Sequence, residues 1–125
     1  SNGHAIAAGA LVLLAADTRI GAAGDFRYGL NETAIGMSLP PFGMEMAKCR
    51  LSKRHQTQAI IQAQLYAPDA AQQAGYLDQV AEAGELENLA FAQATALAEL
   101  PAAAYAATKL DVRREYIDRI AASLA

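Results

Sequence analysis

The segment YGLNE at residues 28–32 places a carboxylate, Glu32, on a short loop that precedes a stretch with two consecutive prolines. At such a position a glutamate can cap a helix, carry a surface charge, or act as a general base that removes a proton from a bound substrate. The segment alone leaves these three roles open, so the neighbouring motifs have to decide between them.

The second candidate site is the start of the apolar segment NGHAIAAGALVLLAAD at residues 2–17. An Asn-Gly turn opens it, and the small residues Ala7, Ala8 and Gly9 leave the beginning of a helix almost free of side chains. Unpaired N–H groups at a helix N-terminus, together with the positive end of the helix dipole, form a site for a carbonyl oxygen or an oxyanion. The same small residues also suit close packing against another helix, and composition alone favours packing.

Two other reactive side chains, Cys49 and His55, lie six residues apart. This spacing is weak support for a nucleophile and its base, and a buried apolar thiol is the simpler interpretation. A single cysteine forms no disulfide within the chain, which fits a reducing compartment, and we expect a cytoplasmic protein. The sequence has no Cys/His cluster with metal-ligand spacing and no dinucleotide-binding fingerprint, so it predicts no metal ion and no redox cofactor.

The composition argues against two classes of partner. The chain has 125 residues, a formal net charge of -3 and a pI near 5.2, a balance that provides no basic surface for nucleic acid. The most apolar run, residues 5–16, is too short to span a bilayer, so no membrane contact is expected. Hydrophobic residues make up 54% of the chain, and the many alanines among them predict closely packed helices.

The elements that must position these residues alternate between short strands and helices, which predicts an α/β fold. The strands are too short and too few for a self-sufficient sheet, so another segment is expected to complete it. Asp69 is expected to cap a short helix that Gly75 closes. The predicted elements are a helix at 7–16 that is buried on most sides, strands at 18–22 and 26–29, a loop at 36–43, helical segments at 44–51 and 53–64, a strand at 76–81, and amphipathic helices at 85–100 and 102–124.

Several separate motifs follow one another along the chain: Asn2-Gly3, Ala8-Gly9, Asp17-x-Arg19-Ile20, Phe26 and Gly29, Asn31-Glu32 before Ile35-Gly36, and AAQQAGYLDQV. Their order resembles the C-terminal half of the crotonase superfamily, which has the enoyl-CoA hydratase/isomerase fold, and the last motif is similar to the family pattern A-x-x-x-G-L-V-D-x-V. The resemblance covers nearly the whole chain and implies two regions. Residues 1–81 would form the C-terminal part of the ββα spiral core, with the N-terminal half of that core absent, and residues 82–125 the C-terminal helical region.

The resemblance also implies a site. The N–H of Ala8 matches one half of an oxyanion hole for a thioester carbonyl, with Gly9 beside it, and the second N–H would come from the N-terminal half. Hydratases of the family use two carboxylates, and this sequence has Leu11 at the first position and Glu32 at the second. Leucine can neither orient nor deprotonate water. The combination is similar to the monofunctional enoyl-CoA delta isomerases, in which one base shuttles a proton through a dienolate.

An acyl-CoA thioester enzyme of fatty acid metabolism is therefore implied, with isomerisation preferred and Leu11 part of an apolar wall that excludes water. Coenzyme A would enter only as part of the substrate. Lys109 matches a basic position near the coenzyme A or a trimer contact, with a solvated helix charge as the commoner explanation. A homo-oligomer is implied, either a trimer or a dimer of trimers. The alternatives are an enoyl-CoA hydratase, which is a lyase, another crotonase-type activity, and a non-catalytic fragment.

Three further polar residues receive structural interpretations. Asp17 is expected to anchor the start of a strand or a subunit contact, and Arg19 to pair with Asp17 or with a neighbouring subunit. His4 is interpreted as a turn histidine whose hydrogen bonds are satisfied.

Overall fold

The computed structural model describes all 125 residues and contains two small sheets, each of two parallel strands. β1 pairs with β3 and β2 pairs with β4. The expectation of an incomplete sheet is confirmed, because neither sheet has more than two strands. The strands are β1 (Ala5–Ile6), β2 (Ile20–Ala22), β3 (Tyr28–Gly29) and β4 (Gln79–Ala81), of which β1 is not anticipated by the sequence analysis.

Five α-helices surround these strands. Proline occupies the first turn of α2 and of α3, where its missing N–H costs nothing. Gly75 ends α3 with φ 102, the left-handed conformation expected from its place in the sequence. The helices are α1 (Ala8–Ala15), α2 (Pro41–Arg50), α3 (Pro68–Ala74), α4 (Leu86–Ala98) and α5 (Ala102–Leu124).

Three predicted local features are wrong. Residues 41–43, predicted as loop, open α2, because Pro41 starts a helix as readily as it ends one. The predicted helix at 53–64 is a 3₁₀ turn at Lys53–His55 followed by a π-helical turn at Thr57–Ile61, and Ala63, with φ 54, breaks any continuation. Asp69 makes no side-chain cap and instead lies in the first turn of α3, where its charge still suits the helix dipole.

The core lies between α1, α2, α3 and the strands. Its largest fully buried side chains are Tyr28, Tyr76, Leu14, Leu30 and Leu77. Six of its fourteen buried residues are alanines. All of them except Ala5 lie on helices or helical turns, where their small side chains let neighbouring backbones approach closely, as the composition predicts. The alanines concerned are Ala10, Ala47, Ala59, Ala71 and Ala74.

The helix α1 is less enclosed than its sequence predicts. Only Ala10 and Leu14 are buried, and Val12 is 75% exposed. On its inner side Leu11 packs over α2, where a Cβ added to Gly43 would lie 3.1 Å from Leu11 Cδ1. Apolar composition predicts that a helix is buried but not which of its sides are covered, and the rest of the chain covers a single side of this helix.

Residues 82–125 form α4 and α5 after one short 3₁₀ turn, and neither helix has a buried residue. The break between them falls at Pro101, as predicted. α5 lies along α2, and Arg119 of α5 forms an ion pair of 3.6 Å with Glu45 of α2. None of the helices has both the length and the apolar composition needed to cross a bilayer.

Candidate active site

The two candidate groups, Ala8 and Glu32, are brought to the same edge of the fold by the pairing of β1 with β3. Ala5 lies opposite Tyr28 and Ile6 opposite Gly29, so both parallel strands end together. α1 begins immediately after β1, and Glu32 follows β3 by three residues. The carboxyl ends of parallel strands are where ligands bind in many α/β folds. The fold therefore places a helix N-terminus and a carboxylate where one ligand could contact both.

The N-terminus of α1 is open. Ala8 and Gly9 are exposed, and their N–H groups have no backbone acceptor. No side chain caps the helix. Ala7, which precedes the helix, has φ 54 and ψ -122, while its own N–H donates to Gly29 O at 2.9 Å. This arrangement leaves two adjacent donors free at the positive end of the helix dipole.

The backbone of Ala7 yields a prediction about stability. Because L-residues with a Cβ adopt positive φ at a steric cost, Ala7→Gly is expected to raise the free energy of unfolding by about 1 kcal/mol. Ala16→Gly is the control, because Ala16 has an ordinary φ of -73. Glycine at this position only makes the unfolded chain more flexible, so this substitution should lower the free energy of unfolding. Urea denaturation of the complete protein measures both. Equal destabilisation by the two substitutions would show that Ala7 is unstrained.

The Glu32 side chain is enclosed. Only 7% of the residue is exposed, and its Oε2 atom is buried without a hydrogen-bond partner in the protein. Its backbone carbonyl accepts from the N–H groups of Ile35 and Met37 at 3.0 and 2.9 Å, but its side chain makes no cap. Two of the three roles open at the sequence level, helix cap and surface charge, are therefore wrong.

The loop that carries Glu32 is braced by residues 57–65. Thr33 Oγ1 donates to Ile60 O at 3.5 Å, and a Cβ added to Gly29 would lie 2.9 Å from Gln64 O and 2.7 Å from Leu65 Cδ2. Apolar side chains that remain exposed on this loop and its brace are Ile35, Met37, Ile61 and Leu65. The exposed large side chains of this loop and of its brace are thus apolar.

Lys109 is not brought to this edge. Its Nζ lies 2.8 Å from Oδ2 of Asp17, which also accepts from Tyr105 Oη at 2.7 Å and, through Oδ1, from Arg113 at 2.6 Å. Asp17 follows the far end of α1, about 12 Å along the helix from Ala8. Partial burial alone would raise the pKa of Asp17, but hydrogen bonds from Lys109, Tyr105 and Arg113 outweigh it and hold the pKa well below its usual value of 3.8.

These contacts join α5 to the end of α1, whereas Asp17 was expected to anchor a strand start or a subunit contact. The prediction that Arg19 pairs with Asp17 is wrong, because Arg19 is buried and binds both carboxylate oxygens of Asp78 at 3.1 Å. Partial burial would raise the pKa of Asp78, but the hydrogen bonds from Arg19 lower it.

Two smaller interpretations have different outcomes. His4 is satisfied as expected, since its Nδ1 accepts from the Arg27 N–H at 2.9 Å. Cys49 is half-buried, whereas a buried thiol was expected. The ring of His55 packs against Tyr66, with the two centroids 5.9 Å apart.

The principal cavities lie away from this edge. The largest, about 760 Å³, is a groove between α4 and the segment at residues 16–20, and none of the four principal cavities is lined by Ala8 or Glu32. No group of three or more His, Cys, Asp or Glu side chains is arranged to hold a metal ion.

Two features are not predicted from the sequence, the backbone conformation of Ala7 and the burial of Tyr76. Ala7 is expected only as a small residue at the helix start, and its positive φ is not predicted, because alanine rarely adopts that conformation. Tyr76 lies fully buried in the core, and its hydroxyl has no partner in the protein. The sequence contains a signal for Tyr76, because this tyrosine occupies the position at which the pattern A-x-x-x-G-L-V-D-x-V has leucine.

Comparison with known proteins identifies the family of the chain. The family model described as enoyl-CoA hydratase/isomerase matches residues 1–125. The chain belongs to the enoyl-CoA hydratase/isomerase family, and its α/β fold is that of the crotonase superfamily. No curated protein matches the chain significantly.

Solved structures of the family superpose closely on the chain. An enoyl-CoA hydratase/isomerase family protein from Pseudomonas syringae has 43% sequence identity and a TM-score of 0.94, with 97% of this chain and 53% of that chain covered. An enoyl-CoA isomerase from Mycobacterium tuberculosis and an enoyl-CoA hydratase from Mycobacterium marinum each have 36% identity and a TM-score of 0.92, with the same coverage. The chain thus spans about half the length of the structures it matches.

Proposed function

We propose that this chain carries the catalytic base of an enoyl-CoA isomerase, an enzyme that moves a carbon–carbon double bond in an acyl-CoA thioester. The observation that supports this function most directly is the pairing of one enclosed carboxylate, Glu32, with an open helix N-terminus at the same edge. Leu11 stands at the position where a second carboxylate would assist hydration. A single base suffices for proton transfer between two carbons but not for ordering water.

The proposed reaction uses 3-enoyl-CoA. The thioester oxygen accepts a hydrogen bond from the Ala8 N–H, and Glu32 removes a proton from C2. The electron pair of the broken C–H bond forms the C1–C2 double bond of a dienolate, whose negative charge rests on the thioester oxygen. The free N–H groups and the dipole of α1 stabilise that charge. Glu32 then returns its proton to C4, and the product is 2-enoyl-CoA.

Leu11 favours isomerisation over hydration in this scheme. It packs between α1 and α2 and contributes an apolar wall beside the reacting carbons, which keeps water from adding to the double bond. Enoyl-CoA hydratase remains the second candidate, since relatives of equal identity include proteins described as an isomerase and as a hydratase. We further propose that the protein forms a homotrimer or a dimer of trimers. The reaction would need no cofactor beyond the coenzyme A of the substrate, and Lys109 would take no part in the chemistry.

The test is turnover by the complete protein with each substrate. We expect the protein to convert 3-enoyl-CoA to 2-enoyl-CoA, which is detected by the absorbance of the conjugated thioester. We expect little conversion of 2-enoyl-CoA to the 3-hydroxy product. Faster hydration than isomerisation would support the hydratase alternative. Turnover of neither substrate would support the non-catalytic alternative.

Leu11→Glu is expected to introduce measurable hydration of 2-enoyl-CoA, because it restores a carboxylate at the position that assists water. Its charge lies in the second turn of α1, near the positive end of the helix dipole, which offsets part of its desolvation. Val12→Glu is the control, since it adds the same charge one residue away on the exposed side of the helix. Hydration is measured from loss of the conjugated absorbance. Equal gains in both variants would mean that position 11 has no special part.

A further inference from the structure

Two neighbouring cations, Lys53 and Arg54, have no partner within the protein. Seven of the ten Lys and Arg residues form ion pairs. An eighth, Arg50, donates to backbone carbonyls at the end of α1. Lys53 and Arg54 make neither an ion pair nor a side-chain hydrogen bond, although the chain has a net charge of -3 and offers many carboxylates. Their charges are therefore free to attract an anion.

Arg54 lines a cavity whose walls are entirely polar. The cavity has a volume of about 540 Å³ and lies between the 3₁₀ turn at Lys53–His55, the π-helical turn that follows it, and α3. The side chains that line it are those of Ser52, Arg54, His55, Gln58 and Gln73. Each of them carries at least one hydrogen-bond donor, and none carries a negative charge.

The backbone on one side of this polar cavity is held in place. The Ser52 N–H donates to Ala74 O at 2.9 Å, which fixes the start of the turn against the end of α3. The His55 N–H donates to Ser52 O at 2.9 Å, and the ring of His55 packs against the buried ring of Tyr66. Because these two residues are already fixed, a ligand would have to order only the exposed arginine and glutamine side chains.

A phosphate group matches the donors of the polar cavity. The guanidinium of an arginine binds phosphate through two parallel N–H donors, and hydroxyl, imidazole and amide donors suit the remaining oxygens. A lining without carboxylates avoids repulsion of a doubly charged anion. The volume lies within the range of small-molecule sites and exceeds what a bare ion needs. These properties favour a phosphorylated small molecule over a simple anion.

We propose that the polar cavity binds a phosphate group of a phosphorylated small molecule, with Arg54 as its principal ligand and Lys53 adding attraction from the adjacent position. The site is separate from the candidate active site, since neither Ala8 nor Glu32 lines it. Binding there does not depend on the proposed isomerase function. Two sources share this chemistry, the phosphate groups of coenzyme A and an unrelated phosphorylated metabolite.

The test is binding of inorganic pyrophosphate to the complete protein, measured by isothermal titration calorimetry. Arg54→Gln is expected to weaken binding at least about 10-fold, because a charge-assisted contact with two donors is lost. Arg54→Lys keeps the charge but loses the paired donors, and it should weaken binding about 3-fold or more. Neither change removes a contact of the Arg54 charge within the protein, so both variants should fold normally.

Arg114→Gln is the matched control. It removes the same charge from an exposed position on α5, where Arg114 pairs with Asp111 at 2.8 Å, and it should leave the affinity unchanged. Absence of pyrophosphate binding, wild-type affinity in Arg54→Gln, or an equal loss in Arg114→Gln would overturn the proposal. An equal loss would mean that net charge alone attracts the anion.

A second measurement locates the site and identifies the source of the phosphate. Backbone amide NMR signals of residues 52–58 are expected to shift when pyrophosphate is added, and shifts that leave these residues unmoved would overturn the proposal. The titration is then repeated with protein saturated with coenzyme A. Loss of pyrophosphate binding supports a site for the phosphate groups of coenzyme A, whereas unchanged binding supports a site for a separate phosphorylated metabolite.

Discussion

Glu32→Gln is expected to abolish exchange of the α-protons of an acyl-CoA with solvent, a loss of about 10²–10⁴-fold if Glu32 is the base. Glutamine keeps the shape of the side chain but cannot accept the proton, so substrate binding should change little. The measurement is deuterium incorporation at C2 in ²H₂O, followed by NMR with the complete protein. The KM for 3-enoyl-CoA, taken from residual turnover, separates binding from chemistry.

The control for this substitution is Glu82→Gln, which removes the same charge from an exposed position just after β4. It should leave exchange at the wild-type rate. Thermal unfolding of both variants shows whether the amide at position 32 disturbs the fold, since an uncharged side chain in a buried site changes the local hydrogen bonding. Wild-type exchange in a folded Glu32→Gln protein would remove Glu32 from the mechanism.

Gly75→Ala is expected to lower the free energy of unfolding by about 2–4 kcal/mol. Gly75 has φ 102, which alanine adopts only with strain, and an added Cβ would lie 3.0 Å from Arg50 O and from Ser52 N. Both contacts are to backbone that ends α2 and continues the chain, so no flexible side chain can move away. The change would also displace the buried side chain of Tyr76, which follows Gly75 directly.

Gly84→Ala is the matched control for this substitution. A Cβ at Gly84 meets nothing within 4 Å, and its φ lies outside the left-handed region. Chemical denaturation of both variants gives the difference in free energy directly. Equal stability of the two variants would mean that neither the backbone conformation nor the contacts at Gly75 constrain the fold.

The elements that the sequence predicted well have local causes. Gly75 ends α3 because only glycine adopts the left-handed conformation without cost, and Pro101 separates α4 from α5 because it cannot continue a helix. The segment at residues 53–64 has helical composition, yet it forms separate 3₁₀ and π turns. There the packing of Gly29 against Gln64 and Leu65 overrides helical propensity, which is a weak preference.

The candidate site was only partly visible in the sequence. Motif order alone pointed to Ala8, Leu11 and Glu32, because each stands at a fixed distance from a glycine or a strand. Lys109 was included on the same basis, but its contact with Asp17 spans 92 residues and has no local signal. Such pairs depend on how α5 lies across the end of α1.

By itself, the sequence determined the α/β class, the helix start near Ala8 and the loop that holds Glu32, since turns and periodicity are properties of neighbouring residues. Only the tertiary structure decided that the Glu32 loop is enclosed, that β1 and β3 end together, and that the Tyr76 hydroxyl lies unpaired in the core. These facts arise from strand register and side-chain packing. Both are set by contacts between distant parts of the chain, which one sequence does not encode in any local pattern.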